Sequence, residues 1–350
     1  MHDDPAPIIA TAPLRISFVG GGTDFPHYFE HHGGAVLSAT IDHRVRVTVT
    51  PRPDRHVRVR SSDLGRIVEY HLDEGPEYDG VMDLAKAAIE RIGVEGGLEM
   101  AIASDAPPGS GLGGSSALVT AVVAALAMLG GRTYTAQELA RLCYAIERED
   151  LGISGGWQDQ YAAAFGGLNL FAFSAGTVAV EPVRVTPEIV ERLEGHLLLC
   201  YTGSVRRHAG LIDTQIRLFE EGREETILGL KQLHQMAYAM REAIESGELD
   251  ELGVMLRDAF LAKKLMNPYI AEHTPIEAML GLAQAAGATG GKICGAGGGG
   301  YLLLYCRPRA QAAVRSELER LGARFTPFGF TWRGVHAERE GKMWSPEIAG

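Results

Sequence analysis

Residues 105–117 read DAPPGSGLGGSSA, and the apolar run ALVTAVVAALAML extends from Ala117 to Leu129. The preceding stretch, LEMAIAS at 98–104, reads as a strand. The order is therefore strand, glycine-rich loop, helix. Glycines let a backbone turn sharply and approach a ligand closely. The first N–H groups of a helix have no partner within it, and the helix dipole adds positive potential there. Together these features predict an anion site, most naturally for phosphate, formed by Pro108, Gly109, Ser110, Gly111, Leu112, Gly113, Gly114, Ser115 and Ser116. Ser115 and Ser116 are candidates to cap the helix or to ligate a phosphate-bound metal. Taken alone, an ordinary glycine-rich turn with a serine cap accounts for the same residues.

Three familiar patterns fail here. Gly109, Gly111 and Gly114 match G-x-G-x-x-G, but the region 20 residues on, LGGRTYTAQE, offers no second strand ending in an acid. Gly291-Lys292 is followed by Ile293 rather than Ser or Thr, so no P-loop is present. Gly152, Ser154 and Gly156 match the G-x-S-x-G nucleophile elbow, but a helix rather than a strand precedes them.

The chain has 350 residues, which suggests two domains or one large one, and at 46% hydrophobic and 22% charged it is well able to bury a core. A net charge of -11 argues against a nucleic-acid partner, because such binding rests on Lys and Arg neutralising phosphates. None of the four cysteines forms a C-x-x-C pair, so free buried thiols are expected. The N-terminus, MHDDPAPIIATAPL, is acidic and lacks the long apolar core of a signal peptide. The most apolar run is shorter than the ~20 residues of a membrane span. A cytoplasmic protein with no membrane partner, monomeric or homodimeric, is the expectation.

Strand patterns occupy 7–19, 35–49, 56–62 and 98–104, with two more between 166 and 183; helical patterns occupy 81–92, 115–129 and 135–150. After about residue 185 the pattern changes. A strand at EGHLLLCYTG gives way to helical stretches near 208–220, 223–246, 248–265 and 275–286. KICGAGGGGYLLLYC then reads as strand, glycine loop and strand, followed by a helix near 309–321 and strands to about 338. The mixed order predicts an α+β fold in two domains, 1–185 and 186–350.

The glycine loop is one of three separated segments. GAGGGG at 295–300 has more consecutive glycines than a hairpin needs, and APLRISFVGGGTDFP sets Arg15 on a strand with Asp24 in the loop beyond. PPGSGLGGSSA resembles the P-x-G-x-G-L-[GS]-S-S-A signature of the GHMP kinase superfamily, and the A-P-x-R and G-A-G-G-G-G segments match that superfamily's other two motifs in order. The resemblance implies an N-terminal ribosomal S5 domain 2-like domain and a C-terminal ferredoxin-like α/β domain, with the active site between them. It implies ATP and Mg2+ as cofactors. It also implies Ser116 and Glu147 as magnesium ligands, Asp159 in GGWQDQY as the catalytic carboxylate and Arg15 as its partner. Gly22, Thr23 and Asp24 from the first motif, with Gly297 and Gly298 from the third, are implied to contact the acceptor. Unaided, Glu147 reads as part of a solvated charge run, ERED, and Asp159 as a helix cap.

Such chemistry requires alignment of the attacking oxygen and neutralisation of charge on the transferred group. Asp159 would accept the hydroxyl proton or orient that hydroxyl, and Arg15 would stabilise the carboxylate or the transition state. Galactokinases carry G-E-H-T-D in the first motif; here GGGTD lacks the Glu and His. LRISFVGGGTDFPHYFEHHGGAVLSATID is instead similar to the sugar anomeric kinases, above all those acting on D-glycero-D-manno-heptose 7-phosphate. That implies phosphorylation of the anomeric hydroxyl of a heptose 7-phosphate to the 1,7-bisphosphate, with an octose 8-phosphate or fucose as alternatives. A phosphorylated acceptor needs a distal cation cluster, for which Arg206, Arg207, Lys263 and Lys264 are the candidates. The competing classes are a non-catalytic sugar or nucleotide sensor on the same fold and a hydrolase centred on Ser154.

Overall fold

The structure, a computed structural model, describes residues 6–205 and 210–348. Its first half opens with β1 (Ile8–Val19), a short helix α1 (Pro26–His32) and the long strand β2 (Gly34–Pro51). Next come the hairpin β3 (His56–Ser61) and β4 (Arg66–His71), helix α2 (Asp83–Ile92) and β5 (Leu98–Ser104). Helices α3 (Gly114–Leu129), α4 (Ala136–Ala145) and α5 (Gln158–Phe165) precede β6 (Leu168–Ser174) and β7 (Thr177–Pro182). The second half runs α6 (Pro187–His196), β8 (Leu197–Val205), α7 (Leu211–Glu220), α8 (Glu224–Ser246), α9 (Leu252–Met266) and α10 (Ile276–Ala285). It closes with β9 (Ala288–Ile293), β10 (Gly299–Cys306), α11 (Pro308–Glu319), β11 (Arg324–Thr326), β12 (His336–Arg339) and β13 (Lys342–Trp344).

One sheet has the order β13-β12-β1-β2-β5-β3-β4, with β6 and β7 branching from β2. The branch is possible because β2 is long: its first part, from Gly34, pairs with β6, and its second, from Val45, pairs with β5. The second sheet is antiparallel, β11-β8-β10-β9. The α+β class is as the mixed element order predicts. The closing strands behave differently from the division at residue 185: β12 leaves the second half and pairs with β1. Their short alternating runs carry no signal for which sheet they join.

Helix α3 is apolar on all sides and buried along most of its length, which is where such a helix must go. It packs against β1, β2, α2, α4 and α5, and so fixes the loop that precedes it. Helix α4 starts at a capping box in which the Thr135 hydroxyl accepts from the Glu138 N–H and the Glu138 carboxylate accepts from the Thr135 N–H. The predicted helix over 135–150 does not run through: the α-helix ends at Ala145, and Ile146–Asp150 form a π-helical turn. The elements α1, β4, α5 and α6 were not read from the sequence; three are short helices, and β4 is an exposed edge strand with little apolar pattern. All four cysteines are buried and free. Among the described residues no helix is long and apolar enough to cross a membrane.

Candidate active site

The two glycine loops meet backbone to backbone. The amide of Tyr301 donates to the Ser110 carbonyl at 3.1 Å, and the Arg15 amide donates to the Leu112 carbonyl at 3.0 Å. A Cβ added to Gly111 would lie 2.7 Å from the Cys294 carbonyl oxygen, and one added to Gly300 would lie 2.3 Å from that of Ser110. Only glycine permits this approach, which explains a glycine run longer than a hairpin requires. The first loop does not use a serine cap. Gly113, with φ +76°, occupies the N-cap of α3 without a side-chain bond, Ser115 is exposed, and Ser116 is turned inward.

Beside this junction runs a cleft. Arg15, on β1, donates from Nε to Asp159 Oδ1 at 2.7 Å and from Nη2 to Asp159 Oδ2 at 2.9 Å. Its Nη1 donates to the Gly111 carbonyl at 2.6 Å, so one buried guanidinium ties the carboxylate to the glycine loop. The bidentate pairing fixes the plane of the Asp159 carboxylate and leaves each oxygen a lone pair for a further donor. Asp159 lies in the first turn of α5, whose N-terminus is closed by Asp24: Asp24 Oδ2 accepts from the Gln158 amide at 3.1 Å and from Gln158 Nε2 at 3.2 Å. Asp24 Oδ1 accepts from the Gly22 amide at 2.9 Å. A Cβ on Gly156 would stand 2.0 Å from Asp24 Oδ2, so the chain passes over this carboxylate only because residue 156 is glycine.

Glu147 is turned inward by the π-helical turn, and turns of this kind recur at functional sites. Its carboxylate is fully buried; Oε2 accepts from the Ser116 hydroxyl at 2.6 Å and from the side-chain amide of Gln160. Oε1 has no partner. A buried carboxylate oxygen left unpaired is costly, and a hard cation between Glu147 and Ser116 would resolve it. The donor set, one carboxylate and one hydroxyl, fits Mg2+, which keeps several waters and takes few protein ligands.

The remaining predicted residues divide. Gly22, Asp24 and Lys263 line the cleft. Thr23 is buried and structural, its hydroxyl donating to the Gly20 carbonyl at 2.8 Å and accepting from the Ala35 amide at 3.0 Å. Gly297 and Gly298 are buried behind the cleft, Gly297 close against Ile270, whereas Gly295 and Ala296 line it. Lys264 faces away and pairs with Glu277. Arg206 and Arg207 lie outside the described residues. Ser154 lies in a loop and donates to Asp213 on α7; a π-helical turn rather than a strand precedes it, so the strand-to-helix elbow of a hydrolase nucleophile is not formed there.

Two cationic residues in the cleft were missed, Arg148 and Lys292. Arg148 hid in the ERED run. Its Nε is buried without a partner, and its guanidinium sits so close under Gly155 that a Cβ there would be 2.4 Å away. Lys292 had one available signal, a lysine inside a strand otherwise buried. Among the described residues, the cleft gathers Arg15, Arg148, Lys263 and Lys292 against Asp24 and Asp159. In a chain of net charge -11, that local excess of cations gives the cleft a positive potential suited to an anion.

Comparison with known proteins gives the family. The family model for the GHMP kinases N terminal domain matches residues 80–167, and that for the GHMP kinases C terminal matches 240–324. The D-glycero-alpha-D-manno-heptose 7-phosphate kinase of Campylobacter jejuni is 34% identical over 93% of this chain and 97% of its own. The chain is a GHMP kinase. As a member of that family it is an ATP-dependent phosphotransferase with the two-domain GHMP kinase fold. The structure of a D-glycero-D-manno-heptose 1-phosphate kinase from Bacteroides thetaiotaomicron superposes on this GHMP kinase with a TM-score of 0.79 at 29% identity, covering 96% of this chain and 100% of the other. A Lactococcus lactis galactokinase complexed with galactose shares the fold at a TM-score of 0.77 and 19% identity, covering 95% of each chain.

Proposed function

We propose that this kinase transfers the terminal phosphoryl group of ATP to the anomeric hydroxyl of a heptose 7-phosphate, giving the 1,7-bisphosphate. The observation that carries the reading is Arg148, which lines the cleft with a buried Nε left without a partner and suits an acceptor already bearing a phosphate. The near full-length similarity to a heptose 7-phosphate kinase supports it. The Gly109–Ser116 loop binds the nucleotide phosphates through its backbone amides. Ser116 and Glu147 would hold Mg2+, which would supply neutralisation of charge on the phosphates.

Asp159, fixed by Arg15, accepts a hydrogen bond from the anomeric hydroxyl and aims its oxygen at the terminal phosphorus. The new P–O bond forms as the bond to the bridging oxygen of ADP breaks. The electron pair of the broken bond leaves on ADP, and the hydroxyl proton passes to Asp159. Asp24, held rigid by three N–H donors, orients the sugar ring, and Arg148 takes the acceptor's own phosphate.

The test is a panel of sugars and sugar phosphates supplied with ATP and Mg2+, read by ADP release and by phosphorus NMR of the product. A heptose 7-phosphate is expected to give a new anomeric phosphate resonance. Preferred turnover of an unphosphorylated sugar, or phosphate appearing elsewhere on the ring, would overturn the assignment.

A further inference from the structure

Lys263 and Lys292 come from different elements. Helix α9 lies directly on β9: a Cβ on Gly290 would stand 1.9 Å from the Gly253 carbonyl oxygen. This close approach brings the Lys263 ammonium from the helix and the Lys292 ammonium from the strand into one cleft. Both side chains are almost wholly buried, at 7% and 4% exposure. Lys292 Nζ donates to the Ser17 carbonyl at 2.7 Å, and Lys263 Nζ donates to the Gly295 carbonyl. Neither has an ion-pair partner among the described residues. Buried ammoniums without an anion are costly, and their retention marks a place where an anion arrives.

Burial pushes Lys263 down to about 7, with the Lys292 charge adding to the fall; burial likewise lowers Lys292 to about 8. The other groups facing Lys263 are Arg15, Asp24 and Cys294, and those facing Lys292 are Arg15 and Cys294. The position of the pair identifies the anion. Gly295, which Lys263 touches, packs on Gly111 of the nucleotide loop, and Ser17, which Lys292 touches, is two residues along β1 from Arg15.

We propose that Lys263 and Lys292 form a two-ammonium seat for the terminal phosphoryl group of the nucleotide, and are catalytic residues that neutralise it during transfer. Both are already aimed at the group when the bond to ADP breaks, so they stabilise charge without reorganisation. The inference rests on the kinase reading of this cleft and not on which sugar fills it.

The experiment compares Lys263→Met and Lys292→Met with the wild-type protein. Methionine keeps the length and removes the buried charge, and melting temperatures at or above wild type report correct folding. Binding of ADP and of the nonhydrolysable analogue AMPPNP, each with Mg2+ and no acceptor, is measured by calorimetry. Either variant is expected to weaken AMPPNP by about tenfold or more while ADP holds within about twofold. kcat is expected to fall on the order of 10²-fold. The wild-type protein gives an independent arm: AMPPNP affinity relative to ADP declines as pH rises through about 7 to 8, as the free pair loses its protons. Equal losses for both nucleotides, no loss for either, a pH-independent ratio, or a rise confined to the acceptor KM would overturn the proposal. A wrong acceptor assignment would leave the nucleotide arm unaffected.

Discussion

Replacing Gly295 by alanine tests whether the two glycine loops act as one rigid unit. Gly295 has φ +63°, so an alanine there carries a left-handed backbone penalty of roughly 1 kcal/mol. Its Cβ would also lie 2.5 Å from the Gly111 Cα. Carbon atoms at rest sit about 3.5 Å apart, so the loops must separate by about 1 Å. That overpacking adds roughly 1–3 kcal/mol. A displacement of about 1 Å in a group that positions a reacting phosphate costs on the order of 10²-fold in rate. Gly176→Ala is the control: its φ is +73° with nothing within 4 Å of an added Cβ, so it carries the backbone penalty alone. Thermal melts and coupled ADP-release kinetics of the two variants are compared. Gly295→Ala is expected to lose clearly more stability than Gly176→Ala and to drop in kcat, while Gly176→Ala keeps wild-type turnover. If the two variants melt together and Gly295→Ala retains kcat within about threefold, the backbone contact does not position the nucleotide loop, and the reasoning fails.

Asp159→Asn is expected to lower kcat by roughly 10²–10⁴-fold with little change in ATP affinity, checked by steady-state kinetics and nucleotide binding. It should also destabilise the protein, because it leaves the buried Arg15 guanidinium without its counter-charge. Glu147→Gln preserves an acceptor for the Ser116 hydroxyl but removes the negative charge, so activity should need much higher Mg2+; an unchanged magnesium titration curve would exclude Glu147 as a ligand. The ligand-free protein should become more stable as pH rises from about 7 towards 10.5. In that window the unfolded chain still protonates Lys263 while the folded chain has released the proton. Lys263→Met should flatten the slope, as measured by denaturant melts at several pH values.

Much of the architecture is carried by local pattern. The alternation in β2 and β3, the capping box of α4 and the uniformly apolar α3 each state their own conformation. Glu147, Asp159 and Arg15 entered through motif resemblance, because no short-range feature separates a candidate catalytic acid from a helix cap or a solvated charge. Arg148 and Lys292 had no motif to announce them.

Local chemistry was enough to read the α+β class, the strand-loop-helix order around Gly109–Ser116 and the presence of two glycine loops, since backbone freedom and periodicity are local properties. Tertiary structure alone decided that β12 returns to β1, that a π-helical turn rotates Glu147 towards Ser116, and that α9 pressed on β9 brings two lysines together. Those outcomes depend on which surfaces exclude water against one another across hundreds of residues of chain, and no local stretch encodes that choice.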